Sequence, residues 1–135
     1  MTDRDLVSKK LSQIETCVQE LGTLARPEEI ENDVREERFV EHTLQIAIQS
    51  VIDVAAHIIS DERLGEPRTH RELFDLLRRY DWISSVLADS LQKMAGFRNV
   101  LVHGYDAVDL GIVKQILSRH LDDLLAFVKA IRAKL

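Results

Sequence analysis

An all-α domain, an antiparallel up-and-down bundle of about five helices, is the fold class this sequence predicts. Three observations predict it. Gly and Pro are scarce, at five and two of 135 residues, while Leu, Ile, Val, Ala, Glu and Arg abound, a balance that favours helices. Apolar residues recur at helical spacing through most of the chain. No stretch alternates as a strand would, and no repeat or low-complexity segment stands out. A chain of 135 residues suits one domain, 1–135, with a sizeable core.

The first helix is predicted over 3–22, with Leu6, Leu11, Ile14, Val18 and Leu21 as its stripe and Gly22 near its end. Pro27 suits the first turn of a second helix, whose positive end the following acidic residues favour. This helix is expected to run from Pro27 to Ser60 on Ile30, Val34, Leu44, Ile48, Val51, Ala55 and Ile59, although the charges around Glu36 weaken the stripe. Asp61 to Arg68, with Gly65 and Pro67, reads as a loop. Thr69 and Glu72 form a capping box for a short third helix over 69–79. Asp81 is the expected cap of a fourth helix, 82–102, with Ile83, Val86, Leu87, Leu91, Met94, Phe97 and Leu101 inward. Gly96 within it permits a bend or a close helix contact, and Gly104 ends it. Asp109 caps a fifth helix, about 110–133, on Val113, Ile116, Leu117, Leu121, Leu124, Val128 and Ile131.

Cys17 is the only cysteine, so an internal disulfide and a multi-cysteine zinc site are excluded and a reducing compartment is expected. The charged N-terminus lacks the apolar core of a signal peptide. No apolar run approaches the roughly 18 residues of a membrane span. A cytoplasmic protein without a membrane partner is the expectation. The net charge of −5 argues against a broadly basic nucleic-acid binder, but its distribution is uneven. Residues 28–41 hold seven acidic and two basic residues, and residues 63–79 hold five arginines against three acids. Either block can be a solvated helix face, and the second can also offer RNA a basic patch.

The chemistry concentrates in Arg98-Asn99-Val100-Leu101-Val102-His103-Gly104-Tyr105. A buried helix interior rarely carries so many polar groups, because each must find a partner or reach water. Arg offers a planar, permanently charged fork for phosphate, and His moves protons near neutral pH. On a straight helix Arg98 and His103 lie about 140° apart, whereas Arg98 and Tyr105 nearly align. Either the chain turns at Gly104, or the pair converges with its copy across a two-fold axis.

The order Arg, four residues, His, one residue, Tyr resembles the signature of the HEPN superfamily, and more narrowly of HepT-like toxins. Met94-Ala95-Gly96-Phe97, Leu44-Gln45-Ile46-Ala47-Ile48-Gln49, Ile52-Asp53-Val54-Ala55 and Arg71-Glu72-Leu73-Phe74 extend the likeness from about Glu37 to the C-terminus. The resemblance implies a HEPN-like bundle and a homodimer whose interface cleft holds both motifs. It implies metal-independent RNA cleavage, by an endonuclease or a tRNA-trimming ribonuclease, without a cofactor. His103 would be general acid or base, Arg98 would stabilise phosphoryl charge, and Asn99 would orient His103 or a phosphate. A helix C-terminus near His103 would favour imidazolium. The resemblance further implies a type VII toxin–antitoxin pair. A MntA-like minimal nucleotidyltransferase would transfer AMP to Tyr105 and block phosphate access by bulk and charge.

Two other functions compete. A non-catalytic HEPN module would bind a nucleotidyltransferase or its nucleotide. A histidine phosphotransfer bundle would expose one histidine, but none here precedes Lys-Gly. No Glu stands three residues before any histidine, so the Glu-x-x-His pattern of di-iron bundles is absent. Asp53 and His57, at i and i+4, read as a hydrogen-bonded pair before a metal site. Structurally, Arg98 and His103 could simply pair or cap helix ends, and Tyr105 could pack a helix end with its hydroxyl in water.

Overall fold

The computed structural model describes residues 3–103 and 109–135, with Val102 and His103 described for their backbone, and every regular element among them is helical. The helices are α1 (Arg4–Thr23), α2 (Val34–Asp61), α3 (His70–Arg79), α4 (Ser85–His103), α5 (Leu110–Gln115) and α6 (Leu121–Arg132). A 3-10 turn, Pro27–Glu29, precedes α2, and a π-helical turn, Ile116–His120, fuses α5 to α6. The predicted fifth helix is thus one rod with a π-helical interruption. Gly104, the predicted stop of the fourth helix, lies outside the described residues.

α2 is the centre of the bundle. It packs against α1, α3, α4 and α6. Its 28 residues span roughly 42 Å at 1.5 Å per residue. Cross-links fix the helix directions. Asp3 N–H donates to Asp61, Lys10 pairs with Asp53 at 3.2 Å and Ser50 donates to Gln13. The numbers rise on α1 as they fall on α2, so the two are antiparallel. α3 and α4 fold back on one another over the short 80–84 connection, and farther along them the Gln92 amide of α4 donates to the Arg71 carbonyl of α3. Lys134 lies over the Trp82 ring and donates to the Tyr80 carbonyl, whereas Phe97 and Val100 share a cleft with Ile112 and Ile116, so α4 runs antiparallel to the α5–α6 rod.

The second helix begins later than expected. Pro27 opens a 3-10 turn, and Asp33, with φ −129°, takes the N-cap, its carboxylate accepting from Arg35 N–H at 2.9 Å. An extended residue there separates the turn from the rod, while Ile30 still docks into the core, 1 % exposed. The fourth helix also starts later. Asp81 has φ +63°, and Trp82 N–H reaches the Leu77 carbonyl while Asp81 N–H reaches Arg78. That is a Schellman close of α3. Ser84 does the capping instead, accepting from Leu87 N–H at 3.1 Å. The same device ends α2, with Arg63 at φ +54° and Leu64 N–H on the Ile59 carbonyl.

The predicted caps at Thr69 and Asp109 hold. Thr69 Oγ1 accepts from Glu72 N–H at 3.1 Å, and Asp109 accepts from Gly111 and Ile112. The Glu72 carboxylate reaches back to Arg68 N–H, one residue beyond the N-cap N–H of the usual capping-box return.

Leu11, Ile14, Leu44, Ile48, Phe74, Leu77, Leu91, Leu124 and Phe127 are fully buried. Three stripe expectations fail. Leu6 is 42 % exposed and Val7 takes its place, while Val34 and Val86 are 60 % and 80 % exposed. Each lies in the first turns of its helix, where a residue can overhang the bundle's end. By length and composition alone α2 could cross a membrane, which the sequence reading did not anticipate. Most of that apolar stretch is buried inside the bundle, as suits a central core helix.

One charged side chain lies in this core. Glu41 of α2 is 9 % exposed, and its Oε1 has no hydrogen-bond partner among the described residues. Burial pushes its carboxyl above the usual carboxylate range, and the Glu37 charge and a hydrogen bond with Glu37 push the same way.

Two outcomes follow from this packing. Leu91→Ala should cost about 2–5 kcal/mol, whereas Val86→Ala should stay within about 0.5 kcal/mol of wild type; urea titration of both variants checks the contrast. The raised carboxyl at Glu41 means the folded chain holds that proton more tightly than the unfolded chain. Its contribution is therefore present below the ordinary carboxylate range and is lost as pH rises through the raised value. Glu41→Gln should raise the melting temperature more at about pH 7 than at about pH 4, and a scan at both values with equal differences would contradict this.

Candidate active site at the end of α4

The Arg98 motif sits on the last turns of α4, which remains helical through His103. Helical geometry then assigns faces. Met94, Arg98 and Leu101 fall on the inward side, with Met94 and Leu101 buried and Arg98 half-buried. Gly96, Val100 and position 103 fall on another face, with position 103 within about 20° of Gly96. Gly96 and Val100 are exposed. Arg98 and His103 are thus about 140° apart around one axis and about 7.5 Å apart along it. The alternative in which the chain turns at Gly104 falls outside the described residues. The His103 side chain and all of Tyr105 lie outside the described residues.

Arg98 is poised for an anion. Its Nε is buried and has no hydrogen-bond partner among the described residues. Its Nη1 donates to Asn99 Oδ1 at 3.3 Å. The exposed Asn99 therefore turns its oxygen to the guanidinium, and this contact helps aim the fork. Because the Nε is closed to solvent, an incoming oxyanion would meet this guanidinium through its terminal nitrogens.

Two cavities flank this helix end. One, of 660 Å³, lies between α2 and α4 and is lined by Arg38, Phe39, Glu41, His42, Gln45 and Leu101, among others. The other, of 630 Å³, runs between α4 and the α5–π segment, past Gly96, Phe97, Val100, Ile112, Ile116 and His120. Gly96 makes no close helix contact within the chain, because a Cβ there would meet nothing within 4 Å.

The sequence reading missed two groups. Glu41 is one, and its signal was present: it stands three residues before Leu44 and seven before Ile48, in register with an apolar stripe. The other is His120, whose Nδ1 lies 2.9 Å from Asp123 Oδ2 at the end of the π turn. No periodicity announces a π turn. The expected Asp53–His57 pair does not form. Asp53 instead accepts from Lys10 and Gln49, and His57 pairs with Asp61 at 2.9 Å, because Lys10 of α1 is near enough to claim Asp53. Among the described residues no three His, Cys, Asp or Glu side chains gather as metal ligands.

The charge blocks also resolve. The acidic block does structural work: Glu31 pairs with Lys114 at 2.6 Å, Glu36 accepts from Arg26 N–H and Asp33 caps α2. In the basic block Asp75 binds both Arg78 and Arg79, which holds its carboxyl below the usual range. Arg63, Arg68 and Arg71 are exposed.

Comparison with known proteins places this geometry. Residues 10–131 match the family described as Ribonuclease HepT-like. The mRNA nuclease HepT of Shewanella oneidensis is 31 % identical over 131 residues, covering 96 % of this chain and 98 % of that one. The tRNA nuclease HepT of Aphanizomenon flos-aquae is 34 % identical over 95 residues, 70 % of this chain and 65 % of that one. Among solved structures, the tri-AMPylated Shewanella oneidensis HEPN toxin in complex with MNT antitoxin superposes with a TM-score of 0.88 at 31 % identity, covering 98 % and 99 % of the two chains. A toxin–antitoxin structure with AMP-PNP gives 0.90 at 31 % identity over 96 % and 98 %. By sequence along nearly its whole length and by fold, this chain belongs to the HepT-like ribonuclease family.

Proposed function

We propose that this protein is the ribonuclease toxin of a toxin–antitoxin pair, silenced when a nucleotidyltransferase partner transfers AMP to Tyr105. The observation that carries the reading is the family match over residues 10–131 together with the Arg98-x4-His103-x-Tyr105 order at the end of α4. RNA is the substrate, as the names of the two nuclease relatives suggest. The transferase follows from the AMPylated relative and its MNT partner.

The reaction needs no metal. A ribose 2′-oxygen attacks the adjacent phosphorus, and the 5′-oxygen of the next nucleotide leaves. His103 takes or gives a proton in this exchange, a contribution of about 10²–10⁴-fold. Arg98 meets the phosphoryl oxygens as charge builds on them, through the guanidinium of its half-buried side chain. Positions 98 and 103 lie about 140° apart around one helix, so a site that uses both takes two copies of the chain. The dimer brings Arg98 and His103 of two α4 helices to one cleft.

Silencing follows from the chemistry of Tyr105. Its phenol oxygen attacks the α-phosphorus of ATP, pyrophosphate leaves, and the attached AMP puts bulk and negative charge beside His103. Phosphate is then repelled from the place where Arg98 would receive it.

Arg98→Ala and His103→Ala should each abolish RNA cleavage while keeping the helical circular dichroism of wild type. Arg98→Lys should also be impaired, because an ammonium cannot reproduce the bidentate fork. Light scattering should give a dimer, and mixing the two inactive variants should restore part of the activity in hybrid dimers. Cleavage at wild-type rate by either alanine variant would refute the assignment, and unfolding of both would show a structural role.

Tyr105→Phe should fold and dimerise as wild type does, having lost one hydroxyl. After incubation with ATP, magnesium and the transferase, wild type should gain mass in AMP steps and the variant should gain none. Equal gain by both would place the acceptor elsewhere.

A further inference from the structure

Arg38 stands in the acidic block of the sequence and yet pairs with none of it. It precedes Glu41 by three residues, a spacing at which opposite charges on a helix can meet. Among the described residues its guanidinium nevertheless has neither an ion pair nor a hydrogen bond. The neighbouring acids are engaged elsewhere. Glu36 accepts from Arg26 N–H at 2.7 Å, and Glu41 is buried with its carboxyl bonded to Glu37. Burial first, and then the Glu37 charge, holds the Glu41 carboxyl above the usual carboxylate range. This face of α2 therefore carries less negative charge than its composition suggests. His42, one turn after Arg38, is also without a partner among the described residues. Both side chains are exposed, and both line the 660 Å³ cavity between α2 and the end of α4. Leu101 of α4 lines the same cavity. It lies one turn from Arg98, about 4.5 Å along the axis.

From this arrangement we infer that Arg38 and His42 form a second phosphate subsite, which holds an RNA phosphate adjacent in the strand to the one that Arg98 receives. The inference rests on the ribonuclease reading and adds to it a contact with the substrate backbone. A guanidinium offers phosphate a planar fork of donors, and an imidazole N–H adds another donor. Single-stranded RNA carries a phosphate at every nucleotide, and basic grooves hold it by tracking that backbone. Such contacts position the strand without reading its bases. The chain as a whole has a net charge of −5, so a polyanion is received where cations stand free of their acidic neighbours. A cavity also focuses the field of such a cation more than a convex surface does.

The test uses full-length protein carrying His103→Ala, so that binding is read without cleavage. The probes are UpU, with a single phosphate, and pUpU and UpUp, each with one more, titrated by calorimetry beside inorganic phosphate. One of the longer probes should bind about tenfold tighter than UpU, as suits one added charge-assisted contact. Adding Arg38→Gln should bring that probe level with UpU and leave UpU itself unchanged. Arg38→Lys should keep part of the gain, and His42→Ala should remove part of it. Because Arg38 is exposed and unpaired, neither Arg38 variant should move the melting temperature. With His103 intact, Arg38→Gln should raise KM for a mixed-sequence single-stranded RNA about tenfold while kcat holds, the mark of lost ground-state binding.

Equal binding of UpU, pUpU and UpUp, no binding, or a gain that survives Arg38→Gln would overturn the inference. Inorganic phosphate binding as tightly as the favoured probe would do so as well, by making the cavity an anion site with no regard to RNA. A lower melting temperature in both Arg38 variants would make Arg38 structural. Failure of the underlying reading looks different. An Arg38-dependent gain in a protein whose wild type cleaves no RNA would sink the nuclease and leave the phosphate subsite standing. Cleavage whose KM ignores Arg38→Gln would sink the subsite alone.

Discussion

The constraint on which the rest of this molecule depends is the 100° that each residue turns around α4. One helix has to bury Met94 and Leu101 and also carry the residues of the site. Arg98 falls on the buried side and position 103 on the Gly96 and Val100 side. Placing both on one face would take a spacing of three, four or seven residues. The spacing here is five. A chain that keeps Arg98 inward, where its Nε is shielded from water, puts position 103 on a different face, and a second copy is what the proposed site would need to bring the two together. The open surface at Gly96, where a Cβ would meet nothing, suits that demand, because a backbone without side chains permits close approach from outside.

The frame that holds α4 in place is mostly apolar. α2 is covered by four helices, and this burial is what makes a 28-residue helix with a membrane-like stretch at home in a bundle. The ion pairs are of a different kind. Arg132 grips Glu15 through two bonds of 2.6 and 2.8 Å, joining α6 to α1 and holding the Glu15 carboxyl below its usual range. Both side chains are nearly half exposed, so solvent screens the pair and its contribution is small beside the core. It fixes register more than stability. Helix ends are handled by short-range bonds, with Asp3, Asp33, Thr69, Ser84 and Asp109 as acceptors at the N-termini.

How much of this was legible in the sequence depends on the range of the signal. The helices, the Thr69 and Asp109 caps and most of the inward stripes follow from spacing within one or two turns, and they were read. The motif was legible as a pattern of residue types, and α4 carries its stretch from Arg98 to position 103, while Gly104 and Tyr105 lie outside the described residues. The failures need information from outside the local stretch. Leu6, Val34 and Val86 satisfy helical spacing, but where a helix overhangs its neighbours depends on the other helices' lengths. Asp81 reads as an N-cap until the left-handed turn that closes α3 claims it. The partner of Asp53 was decided by Lys10, forty-three residues away. The π turn at Ile116–His120 leaves no mark in an apolar pattern that continues through it.

Glu41 and Arg98 belong together in a way that neither sequence nor fold class requires. Among the described residues, Glu41 Oε1 and Arg98 Nε are the buried side-chain atoms without a hydrogen-bond partner. One is an acceptor and the other a donor, on two helices that pack against each other, and yet these two atoms do not satisfy one another. Elsewhere the chain is careful: Ser50, Thr43 and Gln92 all find partners. Folding alone would favour apolar replacements at both positions, since each unmet group costs free energy. Local rules broken without compensation tend to mark functional sites, where the compensation arrives with a ligand. On the proposed reading a phosphoryl oxygen would be the acceptor that the Arg98 guanidinium lacks in the folded chain, so the cost left at this helix end by folding would be offset when substrate binds.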